Sequence, residues 1–293
     1  MAIFNISRST WLHLRIPFSF FLLPVFIFAL AVGEHASVTN IIMVFVILHF
    51  LLYPASNGYN SYFDNDEDSI GLLQYPPMVT KDLYYISLLL DAIAIGLGAF
   101  ISIPFAVMLL VYGLASKAYS HPAIRLKSYP FAGWFIAGFF QGFFTFMMCI
   151  EGLNPTGWEI FRDPMMIVPA SLTSMLLWGS YPMTQIYQHE EDYSRGDRTL
   201  SLVLGIRGTF YFTAIFFLLA NFGFVLYFFL VFSLNAALFF QMFLIPILTY
   251  FLIWYTKVHR DPDYADYRHT MELNTISAVC LNMFFVFLWI SFS

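Results

Sequence analysis

Apolar residues in this chain come in long blocks separated by short polar stretches, without the strict alternation expected of half-buried strands. A block of about 18 to 20 apolar residues is what an α-helix needs to cross the hydrocarbon core of a bilayer. Nine such spans are predicted, at roughly 17 to 33, 38 to 57, 83 to 101, 103 to 117, 131 to 150, 165 to 186, 209 to 230, 234 to 255 and 274 to 292. The third and fourth nearly fuse, and Pro104 divides them. The expected fold is an all-α integral membrane protein, with nine transmembrane helices around a central cavity.

The polar stretches provide a check on that count, because cytoplasmic loops carry an excess of Lys and Arg. With nine spans, Arg162 alone of the 13 Lys and Arg falls on the opposite side from the others. That partition puts the N-terminus in the cytoplasm and the C-terminus outside. The composition agrees with a membrane protein: 60% hydrophobic, 11% charged and a mean hydropathy of +0.73. Residues 1–293 read as a single transmembrane domain, with 1–16 as an interfacial segment lying along the surface. The first apolar run is long enough to stay as a span instead of being cleaved. Cys149 and Cys280 both fall within spans, which predicts buried thiols and no disulfide framework. No basic, aromatic-interleaved patch suggests nucleic acid.

Against this apolar background, residues 57 to 71, NGYNSYFDNDEDSIG, concentrate acid at the end of the second span. On a helix, Asn60, Asp64 and Asp68 would share one face, each about 6 Å beyond the last, with Asp66 and Glu67 pointing elsewhere. Such a row of oxygen ligands suits a hard cation such as Mg²⁺, which also takes phosphate oxygens. A solvated acidic loop is the plainer alternative. The sixth span ends in a second acid-rich segment, QIYQHEEDYSRGDRT, where helical spacing puts Gln188 and Asp192 on one face and Glu191 beside Arg195. Between them lies a basic loop with Lys117, Arg125 and Lys127. The two acidic faces are expected to meet across a cavity open to the cytoplasmic side. Metal ions there would bridge acids to a diphosphate while the cations neutralise the rest. Asp91, inside the third span, is a further intramembrane carboxylate and a functional candidate by default.

These segments carry a family resemblance. NSYFDNDED resembles the NxxxDxxxD pattern of the UbiA superfamily of membrane prenyltransferases, and YSHPAIRLK looks like that family's YSxPPxRLK loop. DYSRGDRTLSLVLG is similar to its second aspartate motif. The resemblance implies Mg²⁺-dependent transfer of a prenyl group from an isoprenyl diphosphate to a lipid-soluble acceptor, most naturally an aromatic or quinone precursor. Carried over by position, it makes Asn60, Asp64, Asp68 and Asp192 metal ligands, with the three aspartates catalytic. It makes Lys117, Tyr119, Arg125, Lys127 and Arg198 binders of the diphosphate. The sequence departs from the pattern at Gln188, where the first acid of the second motif is expected; Glu191 or Glu190 is a possible substitute. A terpene cyclase or diphosphate lyase on the same scaffold is the nearest alternative. A cation-coupled transporter is disfavoured because the ionisable groups crowd at one depth.

Overall fold

The structure is a computed structural model that describes residues 6–292; the first five residues of the interfacial segment lie outside it. Among the described residues the long elements are all helical. Helix α1 (Arg8–His13) leads through a 3-10 turn (Ile16–Phe21) into α2 (Leu23–Val32). The chain continues through α3 (Val38–Asp64), α4 (Lys81–Ala99), α5 (Ile103–Ser120) and α6 (Pro130–Leu153). Then come α7 (Pro164–Ser180), a 3-10 stretch (Tyr181–Gln188) and the short α8 (His189–Arg195). The chain ends with α9 (Leu200–Val231), α10 (Leu234–Arg260) and α11 (Tyr267–Phe292).

Seven of these helices are long and apolar enough to cross a membrane, and the pair formed by Arg8–Phe21 and Leu23–Val32, bent by 41°, would make an eighth. The chain is thus a multi-pass membrane protein. Each predicted span falls on a helix, but two are reshaped. The first is broken, because Pro17 opens a 3-10 turn and Pro24 opens α2, so neither ring has to occupy a helix interior. The seventh begins early: α9 starts at Leu200, capped by the Thr199 hydroxyl, and is interrupted at Gly205, whose φ of 67° only glycine adopts cheaply. Pro104 sits in the first turn of α5, where its missing N–H costs nothing.

Close packing at membrane depth relies on small residues and on satisfied backbone groups. In α6 the helix widens into a π turn at Phe140–Phe144, a distortion that frees carbonyls. The Thr145 hydroxyl donates to Phe140 O at 2.7 Å, and Ser174 of α7 donates to Gly138 O at 2.9 Å and accepts from the Phe143 N–H at 2.7 Å. Gly142 makes this approach possible, since a Cβ there would lie 2.6 Å from Ser174 N. The π turn therefore holds Phe140 and Gln141 at a fixed place on the wall of the central cavity. A second π turn, Ile47–Leu52, interrupts α3 below its acidic end. At the other membrane face the fully buried Glu151 is absorbed structurally, accepting from the Ser102 hydroxyl at 2.7 Å and the Gly157 N–H at 2.8 Å.

Gly142→Val should overpack the α6–α7 contact and lower the thermal midpoint of the detergent-solubilised protein by more than about 5 °C. A midpoint equal to that of the parent protein would show that this contact does not hold the two helices together.

Candidate active site

The acidic row on α3 stops at Asp64. Asn65 takes the left-handed conformation (φ 49°) as the helix cap, and the chain turns away into a loop. Asp68 is therefore exposed on that loop and does not continue the face of Asn60 and Asp64. Its expected place is taken by Asp66, which sequence spacing had pointed elsewhere: it is buried and lies 2.6 Å from Arg195 of α8. Asn60 accepts a 2.6 Å bond from the Ser120 hydroxyl, which fixes its amide at the end of α5.

The second acidic segment reaches the same place by a different local route. The 3-10 stretch ends at Gln188, and α8 carries Asp192 before Gly196 ends the helix in the left-handed region (φ 75°). The Thr199 hydroxyl donates to Asp192 Oδ2 at 3.0 Å. Asp64 and Asp192 thus line one cavity of about 230 Å³, together with Asn60, Lys127, Gln188 and Tyr119. Burial pushes the Asp192 carboxyl up to about 7, against the opposing pull of the Thr199 hydroxyl and Lys127. Glu191 lies outside the cavity wall. It pairs with Arg195 one turn on and accepts from the Glu67 N–H at 3.3 Å, tying the loop after α3 to α8.

The basic residues divide in a way that their spacing does not reveal. Lys127 Nζ sits 2.5 Å from Asp64 and 3.8 Å from Asp197. Arg125 forks onto Asp197 with bonds of 2.8 and 2.7 Å and stands 3.7 Å from Asp64; the Asp197 hydrogen bonds raise its already high pKa. Lys117, expected in the diphosphate site, is instead paired with Asp91 and lies over the Tyr59 ring at 5.1 Å, away from the cavity wall. Asp91 thereby acquires a partner that its sequence context did not show. Arg198 is exposed, and its contribution is a backbone N–H to Ser128 O at 3.3 Å. Tyr119 and Tyr181 meet hydroxyl to hydroxyl in the wall.

Four charged residues in or beside the cavity are not singled out by the sequence. Asp197, 2% exposed, anchors Arg125 and approaches Lys127. Arg195 and Asp66 form an ion pair between elements 129 residues apart. Arg15 was counted only as a topology signal. It takes the left-handed conformation (φ 44°), lines the cavity and has a buried Nε without a hydrogen-bond partner among the described residues. Positive φ at a non-glycine residue cannot be read from composition, so nothing in the sequence singled Arg15 out.

A second, apolar cavity of about 410 Å³ adjoins the first. Phe18, Gln141, Tyr181, Thr184 and Asn274 line both. Among the described residues no three His, Cys, Asp or Glu side chains converge on a ready-made metal cage. That is compatible with Mg²⁺, which is commonly held by one or two carboxylates with waters and substrate phosphates completing its shell. The oxygen donors in the wall, Asn60 and Asp64 of α3 and Asp192 with Gln188 of the second acidic segment, fit that pattern.

The sequence matches the UbiA prenyltransferase family over residues 21–289. No curated protein matches it by sequence. Among solved structures the chain is similar to a UbiA homolog from Archaeoglobus fulgidus bound to DMAPP and Mg²⁺, with a TM-score of 0.69 and 16% identity over 97% of this chain and 99% of the other. The homolog bound to GPP and Mg²⁺ gives a TM-score of 0.67 and 18% identity over 96% and 99%. A digeranylgeranylglyceryl phosphate synthase structure gives 0.61 and 17% over 95% and 97%. At these identities the structural likeness is one of fold. The family match spans nearly the whole chain, and on that ground the protein belongs to the UbiA prenyltransferase family and is a prenyl-transferring enzyme.

Proposed function

We propose that this enzyme transfers a prenyl group from an allylic isoprenyl diphosphate to a lipid-soluble acceptor, an aromatic or quinone precursor, with Mg²⁺ and release of diphosphate. One observation carries the reading: Asp64 of α3 and Asp192 of α8 line one cavity with Lys127, and an apolar chamber adjoins it. The solved homologs bound to DMAPP or GPP with Mg²⁺ support the same class of donor and metal.

Asn60, Asp64 and Asp192 would hold the metal, which when bound neutralises the charge that builds on the departing diphosphate. The side chains of the chain supply the rest. Lys127 and Arg125 now neutralise Asp64 and Asp197, and their ammonium and guanidinium are within reach of phosphate oxygens once cation charge takes over at the acids. Arg15, with a free Nε in the wall, adds a donor from the N-terminal segment. Tyr119 and Tyr181 stand on the wall by the passage to the apolar chamber, where their ring faces can stabilise positive charge on the allylic carbon.

The whole of 1–293 acts as one domain in this reading, and all nine helical rods cross the bilayer, including α7 with its 17 residues. The concentration of Lys and Arg in the loops on the cavity's side of the helices supports a cytoplasmic N-terminus and an active site that faces the cytoplasm.

Diphosphate release by purified enzyme supplied with a prenyl diphosphate, Mg²⁺ and a membrane-lipid extract as the source of acceptor tests the proposal. Asp64→Ala should lower turnover at least a hundredfold while the protein still extracts and elutes as the parent does; activity within a few-fold of the parent would remove Asp64 from the site. Lys127→Ala should raise the Michaelis constant for the diphosphate about tenfold. An unchanged constant would assign Lys127 to charge balance at Asp64 alone.

A further inference from the structure

Where the polar cavity and the apolar chamber adjoin, none of the side chains that line both is charged, and two of them are amides, Gln141 and Asn274. Both amides sit well inside membrane-crossing helices. Gln141 lies eleven residues from the start of α6 at Pro130, about 16 Å along the axis, and Asn274 seven from the start of α11 at Tyr267, about 10 Å. At such depth water is scarce, so an amide is expected to find a protein partner. Asn221 and Gln241 do so, exchanging hydrogen bonds of 3.3 and 2.7 Å between α9 and α10. Gln141 and Asn274 do not: neither side chain is hydrogen-bonded to another group among the described residues. Close by in the polar wall, Gln185 donates to the Tyr181 hydroxyl at 3.4 Å, and its buried Oε1 has no partner among the described residues.

The position of Gln141 is fixed even though its amide is free. Ser174 of α7 grips the backbone on either side of it, at Gly138 O and at the Phe143 N–H, and the π turn between them carries Gln141 into the cavity wall. π turns of this kind recur at functional sites.

The donor makes no use of these amides. All the oxygens of a prenyl diphosphate belong to its diphosphate, which the acids and cations of the polar cavity take, and its tail is hydrocarbon. Amides facing hydrocarbon alone would stay unsatisfied, at a cost. A second substrate held at the junction would supply their partners. We infer that this junction is the acceptor subsite, and that Gln141, Asn274 and Gln185 select an acceptor whose oxygens are uncharged hydroxyl or carbonyl groups. The inference rests on the proposed prenyl-diphosphate reading and adds the class of acceptor. Each amide offers both a donor and an acceptor, which suits a hydroxyl or a carbonyl equally. A carboxylate there would lose its water without gaining a cation, because Arg15, Lys127 and Arg195 line the polar cavity and are not among the residues of the junction.

The test titrates naphthalene, 1-naphthol and 1-hydroxy-2-naphthoate into the full-length enzyme in nanodiscs, loaded with Mg²⁺ and geranylgeranyl thiolodiphosphate; empty nanodiscs correct for partition into lipid. The three probes share one ring system and carry no oxygen, a hydroxyl, and a hydroxyl with a carboxylate. 1-Naphthol should bind about tenfold tighter than either of the others. Naphthalene or the hydroxynaphthoate binding as well as 1-naphthol, or saturable binding of none of the three, would overturn the inference and leave the diphosphate reading standing. Failure of the thiolodiphosphate itself to bind would overturn that reading and the inference with it. Gln141→Leu should cut the preference for 1-naphthol over naphthalene about fivefold, with thiolodiphosphate affinity within about twofold of the parent. Asn274→Leu, on a different helix, should do the same and serves if the first variant does not fold. An unchanged preference in a folded variant would show that these amides do not read the acceptor.

Discussion

Everything in the polar cavity depends on keeping several carboxylates of like charge together at a membrane surface. Asp64, Asp66, Asp192 and Asp197 are each no more than 9% exposed. In so poorly solvated a place their mutual repulsion and the loss of water are expensive unless cations stand among them. Lys127 on Asp64, Arg125 on Asp197 and Arg195 on Asp66 meet that need with side chains from the basic loop and from α8. The same arrangement readies the site for chemistry, because each of those cations suits phosphate as well as carboxylate. A cation arriving at the acids and an anion arriving at the bases would replace these ion pairs together.

The apolar part of the fold serves this polar spot. Two of the helices that reach the cavity carry π turns: α3 ends in the acids, and α6 presents Phe140 and Gln141. Buried Ser and Thr hydroxyls recover the carbonyls that such distortions release, which lets irregular backbone persist within the membrane. A polar and an apolar chamber adjoin at Tyr181, Thr184 and Asn274, an arrangement suited to an amphipathic substrate.

The helical blocks were legible because a bilayer-length apolar run leaves few structural options. So was the meeting of Asp64 and Asp192, since the acid-rich segments close spans on the same side. What could not be read was local and three-dimensional. Spacing alone puts Asp68 on the face of Asp64, but the left-handed cap at Asn65 ends the helix one turn early and swings Asp66 inward. Lys117 belongs by sequence to the basic loop, yet it lies on α5 opposite Asp91 of α4, a pairing set by helix packing. Asp197 follows the second acidic motif and looks like loop charge until Arg125, 72 residues away, is seen to fork onto it. Gln188 remains in the wall despite its neutral amide, its Nε2 donating to Ser69 O at 3.5 Å.

In the proposed function, oxygen donors from α3 and α8 jointly hold the metal with the diphosphate between them. An anomalous-diffraction map of the enzyme with Mn²⁺ in place of Mg²⁺ and a prenyl thiolodiphosphate tests it most directly. Metal density is expected in contact with both Asp64 and Asp192, with diphosphate oxygens completing the shell and Lys127 turned from Asp64 onto phosphate. Metal bound elsewhere, or to one acidic segment with the other still closed by its ion pairs, would contradict it.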